Sequence, residues 1–205
     1  MTDRIPDATV RRLPKYLQFL EDIAPTRDTV GSEDIATAAG GSAVQVRKDL
    51  SHVRYSGTRG VGYDVPLLTS AIRRALGLER TRRVALVGAG NLGTALAGYG
   101  GFAATGFDIS AVYDKSPQRI GAMVGGMPVR DIGRLVADAL AAPYEIGVIA
   151  TPVSAAQSVT DRMVEARIRA ILNFTGVNVR VPPEVVVRNV DLATEFRILS
   201  YYLAR

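Results

Sequence analysis

Six consecutive residues carry the most specific chemistry in this chain: Gly88-Ala89-Gly90-Asn91-Leu92-Gly93, a G-x-G-x-x-G pattern. The apolar run RVALV precedes it, and TALAGY, which reads as the start of a helix, follows. In that setting each glycine has a task. Gly88 permits the tight turn out of a strand, Gly90 lets the backbone approach a pyrophosphate, and Gly93 lets the helix pack closely on the sheet. The first N–H groups of the helix and its positive dipole end then face the phosphates. Asp114 ends the next strand-like run, ISAVYD, 21 residues after Gly93. A carboxylate there accepts from both hydroxyls of a ribose. It also repels a 2′-phosphate, so the pattern predicts NADH and NAD+ rather than their 2′-phosphorylated forms, although Lys115 follows directly. The glycine pattern alone is weak evidence. With strand, helix and acid in place it is strong, and a mere packing turn with a solvated acid explains less.

A second set of residues is basic. Arg47 and Lys48 fall in the helical stretch AVQVRKDLSHV, and Arg59 stands between Thr58 and Gly60 in the glycine-rich YSGTRGVGYDV. Arginine pairs bidentately with guanine O6 and N7, and lysine does so or anchors a phosphate. An arginine at an exposed tip suits a narrow A·T minor groove. Ser51, His52 and Gly60 complete the candidate DNA contacts, His52 as a partner for backbone or phosphate rather than a catalyst. Taken singly, each is better explained as an ordinary surface residue. Asp49, in the same helix, is expected to pair within its own domain.

The composition removes several chemistries. There is no cysteine, hence no disulfide, thiolate metal site or cysteine nucleophile, and the one histidine rules out a multi-histidine metal site within a single chain. Redox sensing, if present, does not use thiols. A hydride-transfer enzyme needs an acid or base near the reacting carbonyl. The lysines are Lys15, Lys48 and Lys115, and a Tyr-x-x-x-Lys pair is missing. A substrate domain is also missing, because the part after the basic half suffices only for a dinucleotide fold. An NAD-dependent oxidoreductase with an accessory N-terminal domain is therefore the alternative reading, and a CoA-binding module a weaker third. Asp114 suits a ribose diol better than the 3′-phosphate of CoA. The N-terminus has no apolar segment of signal-peptide length and no run long enough to span a bilayer, so a cytoplasmic protein without membrane contact is expected.

The elements that must position these residues fall into two halves. Residues 1–83 hold 14 Lys/Arg and 10 Asp/Glu, a net of +4, and residues 84–205 hold 11 and 10, a net of +1. A basic half joined to a near-neutral half suits a nucleic-acid-facing module fused to another function. Val10, Leu13, Leu17, Leu20 and Ile23 form a helical stripe over 7–24, which Pro14 is expected to start or bend. SEDIATAA (32–39) reads as a second helix with Ser32 as its N-cap, stopped by Gly40-Gly41. A third helix is predicted from a Ser42 cap through Val53, with Val46, Leu50 and Val53 on one face. Helices two and three, joined by a glycine turn, form a helix-turn-helix. Residues 55–65 read as a small β-hairpin, or wing. Pro66 is expected to open a fourth helix that ends at Gly77, and 78–82 to form a linker. Beyond Arg83, strands at 109–114, 145–150, 168–174 and 184–190 alternate with helices near 131–141 and 152–167, predicting a parallel sheet. Leu192, Phe196, Leu199 and Leu203 give the last 15 residues helical spacing. The fold class is α/β, with a winged helix-turn-helix domain followed by a Rossmann-type domain.

VRKDLS (46–51), GTRGVGYDV (57–65) and GAGNLGTALAGY (88–99) resemble the redox-sensing transcriptional repressors of the Rex family. The likeness continues through ATPVSAAQ (150–157), ILNFTGV (171–177) and VPPEVVVRNVDL (181–192), and so covers nearly the whole chain. It implies a homodimer whose subunits have a winged-helix domain (1–78), an NAD(H)-binding Rossmann domain (79–190) and a C-terminal helix (191–205) swapped onto the partner. It also implies binding to double-stranded operator DNA and release by NADH. By motif position, Thr151, Pro152, Asn173 and Phe174 are expected near the nicotinamide half, and Tyr99 near the nicotinamide. The family commonly links an arginine of the first helix through this tyrosine to an aspartate near the chain end. The tyrosine and the aspartate match Tyr99 and Asp191, but the arginine position matches Gln18, which cannot form the ion pair, with Lys15 one turn away as the alternative match.

Overall fold

The computed structural model describes residues 5–204. The chain divides into two compact units, Met1–Arg80 and Thr81–Arg205.

In the first unit, α1 (Asp7–Ile23), α2 (Ser32–Ala39), α3 (Ala43–His52) and α4 (Val65–Ala75) surround a core of Leu13, Leu20, Ile35, Leu50, Leu68 and Ile72, all fully buried. Helix α1 starts at Asp7, just after Pro6, and runs through Pro14. The stripe read from the sequence needs correction at its first position: Val10 stays exposed, while Thr9 and Tyr16 are buried. The reason is polar. Asp49 of α3 is fully buried, and both side chains donate hydrogen bonds to it, so a periodicity of apolar residues alone misplaces this face. Ser32 does not cap α2. Gly31 holds that position, and the Ser32 hydroxyl accepts from Arg47 instead. Ser42 does cap α3, accepting from the Gln45 N–H, but the helix ends at His52, one residue short of Val53.

The predicted hairpin is also different. Only a single bridge, Thr58 to Gly62, links the two sides of the turn. The strand-forming residues pair elsewhere: β1 (Thr29–Val30) and β2 (Tyr63–Asp64) form a short antiparallel ladder. Val30 and Tyr63 are both buried there, and that burial outweighs a local hairpin weakened by Gly57, Gly60 and Gly62. Asp64 then caps α4 by accepting from the Leu67 N–H, so this helix begins at Val65, one residue before Pro66.

In the second unit, six parallel strands follow the order β10-β9-β8-β3-β4-β7. They are β3 (Arg82–Val87), β4 (Phe107–Asp114), β7 (Arg130–Asp131), β8 (Ile146–Ile149), β9 (Ala170–Asn173) and β10 (Val186–Asn189). A short antiparallel pair, β5 (Met123–Val124) and β6 (Met127–Pro128), and the edge strand β7 had no periodicity to reveal them. Helices α7 (Leu135–Ala141) and α8 (Ala156–Glu165) cover one face, where Leu135 and Met163 pack against Val87, Tyr113 and Ile149. On the other face α5 (Asn91–Ala97) and α6 (Gly101–Ala104) lie over β3 and β4. β3 and β8 are apolar in succession because they are largely buried on both faces, whereas β10 is mostly exposed. β8, β9 and β10 are two or three residues shorter than predicted, where their predicted ends turn into loops, whereas β3 is one residue longer and β4 two. The chain leaves β3 toward β4 and β7, then returns to place β8 on the other side of β3. The strand order reverses there, and crevices that bind ligands form at such a point.

The last helix, α9 (Leu192–Leu203), is exposed at every position. Asp191 caps it, accepting from the Ala193 N–H and the Thr194 hydroxyl. Its apolar side chains include Phe196, Leu199 and Leu203, exposed by 69%, 57% and 87%. No helix among the described residues is long and apolar enough to cross a membrane.

Candidate functional site

The first candidate surface is the outer face of α3. Val44, Arg47, Lys48 and Ser51 fall at i, i+3, i+4 and i+7, and all four are exposed. What faces inward explains the orientation. The Asp49 carboxylate accepts from Arg12 Nε (2.6 Å) and Nη2 (2.8 Å), Tyr16 Oη (2.7 Å), Thr9 Oγ1 (2.8 Å) and Gln45 Nε2 (3.0 Å). Burial pushes this carboxyl up, but the hydrogen bonds from Arg12, Tyr16, Thr9 and Gln45 together hold it down at about 2. Burial, and after it the hydrogen bond to Asp49, push the Tyr16 phenol up to about 12. Asp49 therefore fastens α3 to α1 and turns the next residues of α3 outward. Arg47 rests against α2, donating to Ser32 Oγ (2.7 Å) with Glu33 Oε1 at 3.6 Å. Lys48, His52 and Arg59 have no polar side-chain partner among the described residues. Gly60, at φ +81°, lies with Arg59 at the exposed tip of the Thr58–Gly62 turn. Val44, 69% exposed, was missed. An apolar residue at the start of a helix gives no signal until the buried face is known.

The second candidate site is a cleft of about 890 Å³ at the strand-order reversal. Gly88, Gly90, Asn91 and Leu92 line it from the end of β3, Asp114 and Lys115 from the end of β4, and Thr151, Pro152 and Phe174 from the loops after β8 and β9. Gly88 has φ +107°, and a side chain there would run into the carbonyl of Ala150. A Cβ at Gly93 would strike the carbonyl of Gly88, which is the close helix–strand packing expected of the third glycine. Gly90 meets nothing nearer than the Arg119 guanidinium, at 3.6 Å, so the loop presents open space to the cleft. Thr151 Oγ1 is buried without a hydrogen-bond partner among the described residues. An open glycine cradle, an orphaned hydroxyl and a carboxylate at a strand end together fit a dinucleotide.

Asp114 holds the loop as well as lining the cleft. Oδ2 accepts from the Ala89 N–H (2.8 Å) and Arg119 Nη1 (3.2 Å), and Oδ1 from the Ser116 N–H (2.8 Å). Burial raises its carboxyl, but these donors outweigh that and leave it below the ordinary carboxylate range. A carboxylate has about four lone-pair sites, so room remains for about one further donor rather than for two ribose hydroxyls. The Ala89 N–H is correspondingly spent on Asp114, and Ala89 and Gly93 do not line the cleft. Two other expected residues do not line the cleft in this chain. Asn173 is fully buried, and its amide folds the following loop, donating to Val177 O and Asn189 Oδ1 and accepting from the Thr175 N–H and hydroxyl. Tyr99 is 61% exposed beyond α5 and packs edge-on against Phe102; it is not on the cleft wall. Conversely Ser116, Arg119, Ile132, Ser158 and Arg162 line the cleft without a sequence signal of their own. Gln18 is exposed on α1, and Asp191 has a cation in its own helix, Arg197 at 3.7 Å.

Fold and sites define a protein of two parts, a helix-turn-helix unit with an outward basic helix and a Rossmann-type unit with a dinucleotide-shaped cleft. Two family models match these parts: "Putative DNA-binding protein N-terminus" over residues 4–51 and "CoA binding domain" over residues 79–177. The redox-sensing transcriptional repressor Rex of Streptomyces griseus is 47% identical, over 98% of this chain and 80% of its own. The crystal structure of RSP in complex with beta-NAD+ and operator DNA is 32% identical and superposes with a TM-score of 0.91, covering 97% of this chain and 92% of that one. RSP in complex with beta-NADH is also 32% identical, with a TM-score of 0.88 over 97% and 94%. The chain belongs to the Rex family of redox-sensing transcriptional repressors.

Proposed function

We propose that this chain represses transcription by binding double-stranded operator DNA through α3 and the Thr58–Gly62 turn, and that NADH bound in the cleft releases it. The observation that carries the reading is one chain holding both an outward basic helix fixed by a buried acid and a nucleotide cleft at a strand-order reversal. On the DNA side, Arg47 reads guanine edges, Lys48 anchors phosphate or guanine, Val44 meets thymine methyl groups, and Arg59 enters the adjacent minor groove. Ser51, His52 and Gly60 complete the surface. On the nucleotide side, the Gly88–Gly93 loop takes the pyrophosphate and Asp114 a ribose hydroxyl. Thr151, Pro152 and Phe174 border the nicotinamide half, with the Thr151 hydroxyl supplying an unused polar group. Lys115 lies on the ribose side of the same wall. A CoA-type ligand is disfavoured because Asp114 would face a phosphate. Hydride-transfer catalysis is disfavoured because the titratable side chains on the wall are Asp114, Lys115, Arg119 and Arg162, and the acid among them is already engaged by three donors.

The working form is a cytoplasmic homodimer. Two apolar surfaces of the second unit support this: exposed α9, and an open groove of about 420 Å³ over the sheet between Leu96, Phe102, Ile146, Leu172, Phe174 and Val186. A helix of this composition gains its stability from packing, and a swapped α9 buries it against a second copy. The switch rests on differential affinity, since a ligand shifts an equilibrium only by the difference in its affinity for the two states. NADH and NAD+ differ by a hydride and one positive charge. Gln18, Tyr99 and Asp191 form the candidate link that reports this difference. The deciding measurement is operator binding by the full chain at fixed salt, titrated separately with NADH and NAD+. Release by NADH alone is expected. Operator affinity indifferent to NADH overturns the reading.

A further inference from the structure

On the cleft wall Asp114 is the one acid, and Lys115, Arg119 and Arg162 are the cations. Arg119 is tied to that acid, its Nη1 lying 3.2 Å from Oδ2, and its side chain is 49% exposed. The guanidinium also stands beside the glycine loop, 3.6 Å from where a side chain on Gly90 would begin. Only the arginine of this pair is open to solvent, its aspartate being buried, and a half-exposed guanidinium is free to turn to where negative charge is greatest. The two backbone donors on Asp114, Ala89 N–H and Ser116 N–H, are fixed by the chain. Arg119 is the only one of the three that can leave.

We propose that Asp114 and Arg119 form a selectivity pair for the ribose end of the dinucleotide. Asp114 accepts from an unphosphorylated ribose and, by holding Arg119, withholds a cation that would otherwise receive a 2′-phosphate. The proposal rests on the dinucleotide reading above. A strand-end acid reads the ribose hydroxyl, and an arginine nearby accommodates the 2′-phosphate in proteins that prefer the phosphorylated form. This chain carries both at once, so its preference depends on which group the arginine faces. While Asp114 is charged, an incoming 2′-phosphate meets a carboxylate, and Arg119 cannot serve both. Without that charge, Arg119 and Lys115 face the ribose site alone, and guanidinium–phosphate pairing is strong and bidentate. Loss of the acid therefore reverses the preference instead of merely erasing it.

The test is direct binding of NADH and NADPH to the full chain, followed by dinucleotide fluorescence. The native chain is expected to bind NADH more tightly. Asp114→Asn keeps an oxygen for the Ala89 N–H while removing the charge, and is expected to tighten NADPH binding about tenfold or more, the worth of one charged hydrogen bond, and to make NADPH the preferred ligand. Adding Arg119→Ala to Asp114→Asn is expected to abolish that gain. Asp114→Ala, with and without Arg119→Ala, gives the same comparison should the asparagine pair too well with the ribose. No gain in NADPH affinity in either variant, or a gain that survives loss of Arg119, overturns the pair. A native chain that binds neither NADH nor NAD+ overturns the dinucleotide reading on which it stands.

Discussion

Each unit of the molecule contains a buried aspartate, and the two do different work. Asp49 is fully buried and accepts five hydrogen bonds, all from side chains of α1 and α3. Asp114 is 6% exposed and accepts from two backbone N–H groups and one half-exposed arginine at the edge of a cleft. The first is saturated by side chains of its own unit, so it fixes a helix and reads nothing. The second shapes a loop and keeps an acceptor that a ligand can reach. Burial and a lowered pKa are common to both; the identity and exposure of the donors separate an acid closed within its unit from one that lines a cleft.

The largest test of that contrast is stability. Asp49→Ala leaves Arg12, Tyr16, Thr9 and Gln45 without their shared acceptor, and is expected to destabilise the first unit by about 3 kcal/mol, at the lower end for a broken buried pair because Arg12 is partly exposed. Asp114→Ala loses three hydrogen bonds beside a cleft that water can enter, and is expected to cost about 1 kcal/mol. Denaturant unfolding of both variants checks the order, and equal losses would erase the distinction. The acid limb sharpens it. The Asp49 carboxyl titrates at about 2 when folded, against 3.8 ordinarily. Its contribution is therefore complete above about pH 4 and is lost as pH falls toward 2. In Asp49→Asn this part of the acid transition is expected to vanish from the unfolding profile.

The next effect separates the two functions. Arg47→Ala and Lys48→Ala are each expected to weaken operator binding by about 1–3 kcal/mol, with relaxed specificity for a base contact and a uniform loss for a phosphate contact. NADH binding to the same variants is expected to persist. Unchanged operator affinity in both would remove α3 from the interface and leave Asp49 fastening a helix with no reading role.

The smallest effect concerns how the two units communicate. In the proposed switch a glutamine at position 18 supplies at most a neutral donor, weaker than a charge-assisted one, and Asp191 has Arg197 at 3.7 Å. NADH is expected to release DNA, while NAD+ reinforces binding only slightly. Gln18→Arg is expected to enlarge the NAD+ effect by a few-fold in operator titrations. If NAD+ already strengthens binding in the native chain and Gln18→Arg changes nothing, Gln18 is not part of the switch.

Much of the architecture was legible in the residues because it is local. The glycine pattern after RVALV, the helix spacing around Leu13, Leu17 and Leu20, and the apolar runs of β3, β4, β8 and β9 each follow from backbone sterics and from a period of burial that neighbouring residues express together. The sequence also marked Arg47, Lys48 and Asp114 as chemically apt at their positions. Contacts between distant segments were decided only in three dimensions. Nothing near Asp49 announces that Thr9, Arg12 and Tyr16 converge on it from 33 to 40 residues away. The pairing of Val30 with Tyr63, the diversion of Asn173 from the cleft into its own loop, and the capture of Arg119 by Asp114 are likewise tertiary. A side chain's type states which bonds it can make, but which bond it makes depends on which partners the fold brings within about 3 Å, and that is set by the packing of the whole unit.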